Sequence, residues 1–232
     1  MGLSNYQLVL LDNIIYLDSI VGEDNREKTL RYVVYNLLYE NGDPSNGKGS
    51  GAIKHDCINQ DNGKGLCMMS DTEWVQVLEA IEADETLCSL KIHNVANYTE
   101  TGFRAATFIS DATEENVIIF RGTSTVPEWF DNGTGGYMKQ TVNQKQAVDY
   151  VDSLDIVNNY AYIASGHSKG GNLAQYETLM STDASIDKCE GIAVSRNDAA
   201  QSAVQEHIIT SIVRQIICSM TRSRSVAARS GT

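Results

Sequence analysis

The stretch YAYIASGHSKGGNLAQYETLM, residues 160–180, constrains the fold of this chain more than any other. Residues 160–165 form a short apolar run of the kind that becomes a central strand covered on both faces. Residues 172–180 then carry a helical pattern. Between them Gly166-His167-Ser168-Lys169-Gly170 must turn the chain from strand to helix. Glycines two residues either side of a serine suit a turn in which strand and helix backbones approach too closely for side chains. The reading is a parallel α/β unit with Ser168 held out at its bend.

A serine hydroxyl is a weak nucleophile until it is exposed and a base can take its proton. The bend supplies the exposure. A helix starting directly after Ser168 points its first amides toward a developing oxyanion, so by position the backbone amide of Lys169 is the first oxyanion donor.

Upstream, residues 91–98, 103–110 and 116–122 read as short β-rich runs, with the last turn at 111–115, and residues 140–154 read as a helix. The N-terminal part is different. Leu8, Leu11, Ile14, Ile15 and Leu17 recur at helical spacing behind Ser4, a good N-cap, although Asp12, Asn13 and Asp18 interrupt the apolar positions. A second helix is expected over 24–40. Ser70 and Glu73 make a capping box for a third, whose apolar face is Trp74, Val77, Leu78 and Ile81. Residues 41–65 are crowded with Gly, Asn and Asp and read as a mobile loop. The organisation predicted is an N-terminal helical region (1–88), a core (89–218) and a disordered tail (219–232). In the core, 192–195 read as a strand and 198–217 as a helix.

Two segments resemble a known group. IASGHSKGGNLAQY (163–176) is similar to the nucleophile region of the class 3, fungal-lipase-like α/β-hydrolases. In VIIFRGTSTVPEWFDN (117–132), a strand followed by Phe120-Arg121-Gly122-Thr123, then Trp129 and Asp131, is similar to their oxyanion strand and loop. The GHSKGGN form, with Lys169 and Asn172, most resembles a bacterial lipase-like group. The resemblance implies an α/β-hydrolase-like sheet covered by helices. It also implies that Thr123 supplies the second oxyanion donor opposite Lys169.

In that order of residues the acid and the histidine follow the serine. Behind Ser168 stand Asp183, Asp187 and Asp198 and a single histidine, His207. Asp198 orienting His207 is the one complete triad on offer. The competing expectation is a C-terminally incomplete or frame-shifted chain, since 187–198 depart from the family pattern and the tail lacks strand patterning. His167 is excluded because the bend turns the neighbours of the nucleophile away from it, and His55 and His93 lie upstream, out of order.

Composition narrows the partners. A formal net charge of -12 disfavours sequence-independent nucleic-acid binding. No apolar run approaches the ~18 residues of a membrane span. No P-loop, GxGxxG or metal-ligand spacing occurs, so neither cofactor nor metal is expected. Five cysteines without a CxxC pair suggest reduced thiols and a cytoplasmic protein, although Cys57 and Cys67 flank a loop that a disulfide could close. The function expected is a serine hydrolase of lipase or esterase type acting on a small-molecule or lipid ester. The alternative is an inactive or truncated hydrolase-fold module whose N-terminal helices bind a protein partner.

Overall fold

The computed structural model describes residues 2–48, 71–122, 140–155, 157, 160–167, 169–180 and 192–194, with 71–72 and 192–194 described by backbone alone. Residues 49–65 of the expected loop, the expected helix over 198–217 and the tail 219–232 lie outside the described residues.

Five strands form one mixed sheet in the order β1-β2-β3-β4-β5. They are β1 (Lys91–Tyr98), β2 (Phe103–Ser110), β3 (Glu115–Phe120), β4 (Ala161–His167) and β5 (Ile192–Val194). β1, β2 and β3 run antiparallel, and β3, β4 and β5 run parallel. The change of direction follows from the connections. Tight turns can join only antiparallel neighbours, whereas β3 to β4 and β4 to β5 need crossovers. Those crossovers contain α5 (Val142–Asp152) and α6 (Lys169–Met180).

Helices cover both faces. On one lie α1 (Asn5–Ile14), α2 (Leu30–Leu38), α3 (Asp71–Glu82) and α4 (Glu85–Ser89). Their apolar faces pack with Ile92, Phe108, Val117, Ile119 and Ile163 of the sheet. On the other, Ala147, Tyr150 and Val151 of α5 and Leu173 and Ala174 of α6 pack with Phe103, Phe120, Tyr162 and Ala164. The alternation along β4 decides which residue meets which layer: Ile163, Ser165 and His167 share the α1 face, and Tyr162 and Ala164 share the α6 face.

Local signals explain most element ends. Ser4 caps α1 in a capping box with Gln7, and Thr141 caps α5 in the same way with Gln144. The second helix starts six residues later than the 24–40 expected from periodicity. Glu27 has φ 64. The chain there runs along the free edge of β1, with Glu27 N–H donating to Ile92 O at 2.7 Å and Leu30 N–H to Leu90 O at 2.7 Å. Thr29 then caps α2. An edge strand otherwise left with unpaired backbone is covered in this way, and that demand overrides helical periodicity. The described start of the 41–65 loop, 41–48, winds into two single 3-10 turns, Glu40–Gly42 and Pro44–Asn46.

Asp12 is buried at 3% exposure, facing β4.

Candidate active site

Three backbone segments converge where β3 and β4 end and α6 begins. Gly122 follows β3, Gly166 lies in the last turn of β4, and Gly170 is the second residue of α6. A Cβ on Gly122 would stand 2.5 Å from His167 O, and one on Gly166 would stand 2.6 Å from Phe120 O. A Cβ on Gly170 would run into Phe120 O and the Phe120 carbonyl carbon. These are main-chain neighbours that cannot rotate away, so any side chain at 166 or 170 would push the strand or helix out of place.

Ser168, Thr123, Asp198 and His207 lie outside the described residues, as do His55 and four of the five cysteines. The flanks of Ser168 are described. His167 ends β4, and Lys169 opens α6, whose first amides have no partner within the helix. The His167 ring lies on the α1 side, where its Nδ1 is 3.4 Å from the Tyr16 hydroxyl.

Lys169 is 8% exposed and its side chain turns toward α5. The Asn143 carboxamide, in the orientation that satisfies both its ends, accepts from Lys169 Nζ at 2.9 Å and donates to Gln146 Oε1 at 3.1 Å. One turn along, Gln144 Nε2 donates to Asn172 Oδ1 at 3.0 Å. The Lys and Asn of the GHSKGGN segment thus fasten α6 to the start of α5. Upstream, the guanidinium of Arg121 is buried and donates to Gly102 O at 2.6 Å, which ties the end of β3 to the β1–β2 turn.

Two buried carboxyls were not anticipated. Asp12 Oδ2 accepts from Ser165 Oγ at 3.0 Å, and Oδ1 has no hydrogen-bond partner. Burial pushes its carboxyl well above the usual carboxylate range, and the Ser165 bond only partly offsets this. Glu177 on α6 is fully buried. Burial pushes its pKa up to about 8, with the Tyr162 and Thr178 hydroxyls pulling the other way. A buried acid on a helix surface pattern reads in sequence as an exposed one, so no signal short of the tertiary contact marks either.

His93 occupies the bulge of the edge strand β1. Its Nε2 is 2.8 Å from Asp155 O and its Nδ1 is 3.3 Å from Glu27 Oε1. Cys88 is a buried free thiol, and desolvation raises its pKa. Among the described residues no group of three or more His, Cys, Asp and Glu side chains is placed to hold a metal, and no helix is long and apolar enough to cross a membrane.

Solved structures similar to this one include fungal lipases. A mutant of MDLA from Penicillium cyclopium has 13% identity and a TM-score of 0.39, covering 82% of this chain and 63% of its own. The mono- and diacylglycerol lipase of Aspergillus oryzae has 12% identity and a TM-score of 0.34, covering 76% and 56%. The Rhizomucor miehei lipase in its propeptide complex has 16% identity and a TM-score of 0.31, covering 47% and 41%. The chain therefore spans 41% to 63% of the length of these lipases. No curated protein sequence matches significantly. Residues 85–214, more than half of the chain, match the Mbeg1-like family, and the chain belongs to that family.

Proposed function

We propose that this chain is a serine hydrolase of lipase or esterase type, acting on a small-molecule or lipid carboxylic ester through an acyl-enzyme at Ser168. The observation that carries the reading is the crowding of Gly122, Gly166 and Gly170 against main chain where β4 gives way to α6, beside the end of β3. Membership of a lipase-like family and the FRGT and GHSKGG segments support it.

In this reading Ser168 Oγ attacks the ester carbonyl carbon as its proton passes to the imidazole of His207, which Asp198 orients. The backbone amides of Thr123 and Lys169 donate to the oxyanion. Collapse breaks the acyl C–O bond, and the alcohol leaves with the proton from His207. Water, deprotonated by the same imidazole, then attacks the acyl-enzyme and releases the carboxylic acid and Ser168. The protein works in the cytoplasm with reduced cysteines and without metal or cofactor. The Lys169 and Asn172 form of the motif resembles a bacterial lipase-like group more than the fungal enzymes, so no particular ester is carried over from the latter.

The second reading is a hydrolase-fold module that binds a protein partner through α1–α4 and turns over nothing. Fluorophosphonate labelling separates the two. The parent chain is expected to label, and Ser168→Ala and His207→Ala are each expected to abolish labelling. An unlabelled parent beside a labelled control hydrolase would establish the inactive module; labelling that survives His207→Ala would remove that residue from the triad.

A further inference from the structure

We propose that Asp12, acting through Ser165, is a positioning residue that sets the end of β4, the strand that precedes Ser168 in the chain; its catalytic consequence rests on the serine-hydrolase reading above. The contact joins residues 153 positions apart, between the first helix and the strand that carries the candidate nucleophile.

The geometry is a matched pair of steps. Ser165 and His167 are two residues apart on one face of β4, a spacing of about 6.7 Å in a strand. Asp12 and Tyr16 are four residues apart, the first in the last turn of α1 and the second in the hydrogen-bonded turn that continues it. Asp12 meets Ser165 at 3.0 Å and Tyr16 meets His167 at 3.4 Å, so α1 lies alongside β4 in register with its last turn. A slip of either element would break both contacts together.

α1 is itself held at both ends. Leu3 N–H donates to Glu115 Oε2 at 2.9 Å. At the other end the buried guanidinium of Arg104 on β2 donates to Tyr16 O at 3.1 Å and to Asp18 Oδ1 at 2.6 Å, placing a cation at the helix C-terminus. The helix is a fixed reference against which β4 is set.

The position reaches residue 168 through backbone. Ser165 pairs with Ile119 of β3 and Ile192 of β5. The next residue, Gly166, has Phe120 O and the Gly170 carbonyl where a side chain would stand. Gly166 leaves no slack between Ser165 and the start of α6, so a shift at 165 is passed to both described flanks of the bend, His167 and Lys169.

Asp12 does not earn its place by stabilising the fold. It is buried with Oδ1 unpartnered, and an aliphatic side chain there would avoid desolvating a carboxyl. A residue that weakens the fold while making one hydrogen bond to the nucleophile strand fits a positioning role.

The test compares Asp12→Leu, Asp12→Asn and Ser165→Ala with the parent chain by melting temperature, amide hydrogen exchange across 161–175, and fluorophosphonate labelling resolved into probe affinity and maximal rate. Asp12→Leu is expected to melt higher than the parent. Its maximal labelling rate should nevertheless fall about tenfold or more, with probe affinity little changed and amides around the bend exchanging faster, because small misplacements of a nucleophile carry large rate penalties. Asp12→Asn keeps an acceptor for Ser165 and should restore both readouts. Ser165→Ala removes the same bond with minimal change of volume, and should reproduce the loss if the leucine variant does not fold. Parental exchange and labelling in the leucine and alanine variants overturn the proposal. A parent that does not label overturns the hydrolase reading instead, and the exchange data then decide alone whether Asp12 sets the strand end.

Discussion

At Gly170 a Cβ has nowhere to go, whereas at Gly47 it meets nothing within 4 Å and only the backbone, at φ 76, resists a side chain. Gly170→Ala should therefore destabilise by about 2 kcal/mol or more through overlap with Phe120. Gly47→Ala meets no overlap and should lose about 1–3 kcal/mol from backbone strain alone, at φ 76 and ψ 165. Urea unfolding of both variants checks the two values, and a loss well below about 2 kcal/mol at Gly170 would mean that the bend can open. Glycines of this kind were legible because the spacing in GHSKG already implies a close approach of backbones. Glu177 was not legible, since only packing against Tyr162 and α5 makes it a buried acid. Its carboxyl binds a proton in the folded chain up to about pH 8, whereas in the unfolded chain it loses that proton near its ordinary 4.5. Stability through this group thus falls as pH rises from about 4.5 to about 8, and is flat outside that window. Glu177→Gln should remove the fall and raise stability at neutral pH by up to about 3 kcal/mol. A variant no more stable at pH 7 than at pH 5, relative to the parent, would show that the native carboxyl is compensated.

The elements divide by whether their signals are local. α1, α5 and the three strands β1, β2 and β3 lie close to where capping residues and alternation put them, because Ser4, Thr141 and the turn at 111–115 act on their immediate neighbours. α2 is shorter than its apolar pattern, since residues 27–30 are drawn to β1 across more than sixty positions of sequence. α4 is a single short turn that sequence periodicity cannot register. At this scale Gln144 does two jobs. Its Oε1 accepts from Thr141 N–H at 2.9 Å to close the capping box of α5, and its Nε2 holds Asn172 of α6 at 3.0 Å. Gln144→Ala should lose about 1–2 kcal/mol, the sum of a cap and one side-chain hydrogen bond. Gln144→Glu keeps the acceptor for the cap and favours the helix N-terminus, but gives up the donor to Asn172, so it should fall between alanine and the parent. Thermal unfolding of the two variants orders them; glutamate below alanine would mean that a carboxylate facing Asn172 Oδ1 costs more than the cap contributes.

Across the whole molecule, two different electrostatic effects push stability in the same direction with pH. The chain carries a formal charge of -12, and its self-repulsion grows as carboxylates ionise. Asp12 and Glu177 add the loss that comes from burying carboxyls whose folded pKa values are raised. Asp43 and Asp111 oppose both, since hydrogen bonds from Ser45 and from Lys91 hold their carboxyls below the usual range, but they titrate on the acid side of pH 5. The parent should therefore melt at a higher temperature at pH 5 than at pH 8. Salt separates the causes, because screening over a few ångströms at about 1 M removes repulsion between exposed charges and leaves buried groups almost untouched. In about 1 M sodium chloride the pH slope should shrink but persist, and the pair of substitutions Asp12→Asn and Glu177→Gln should flatten what remains. A slope that salt abolishes in the parent would assign the whole effect to surface repulsion. A slope that survives both salt and the paired substitutions would place the responsible carboxyl elsewhere in the chain.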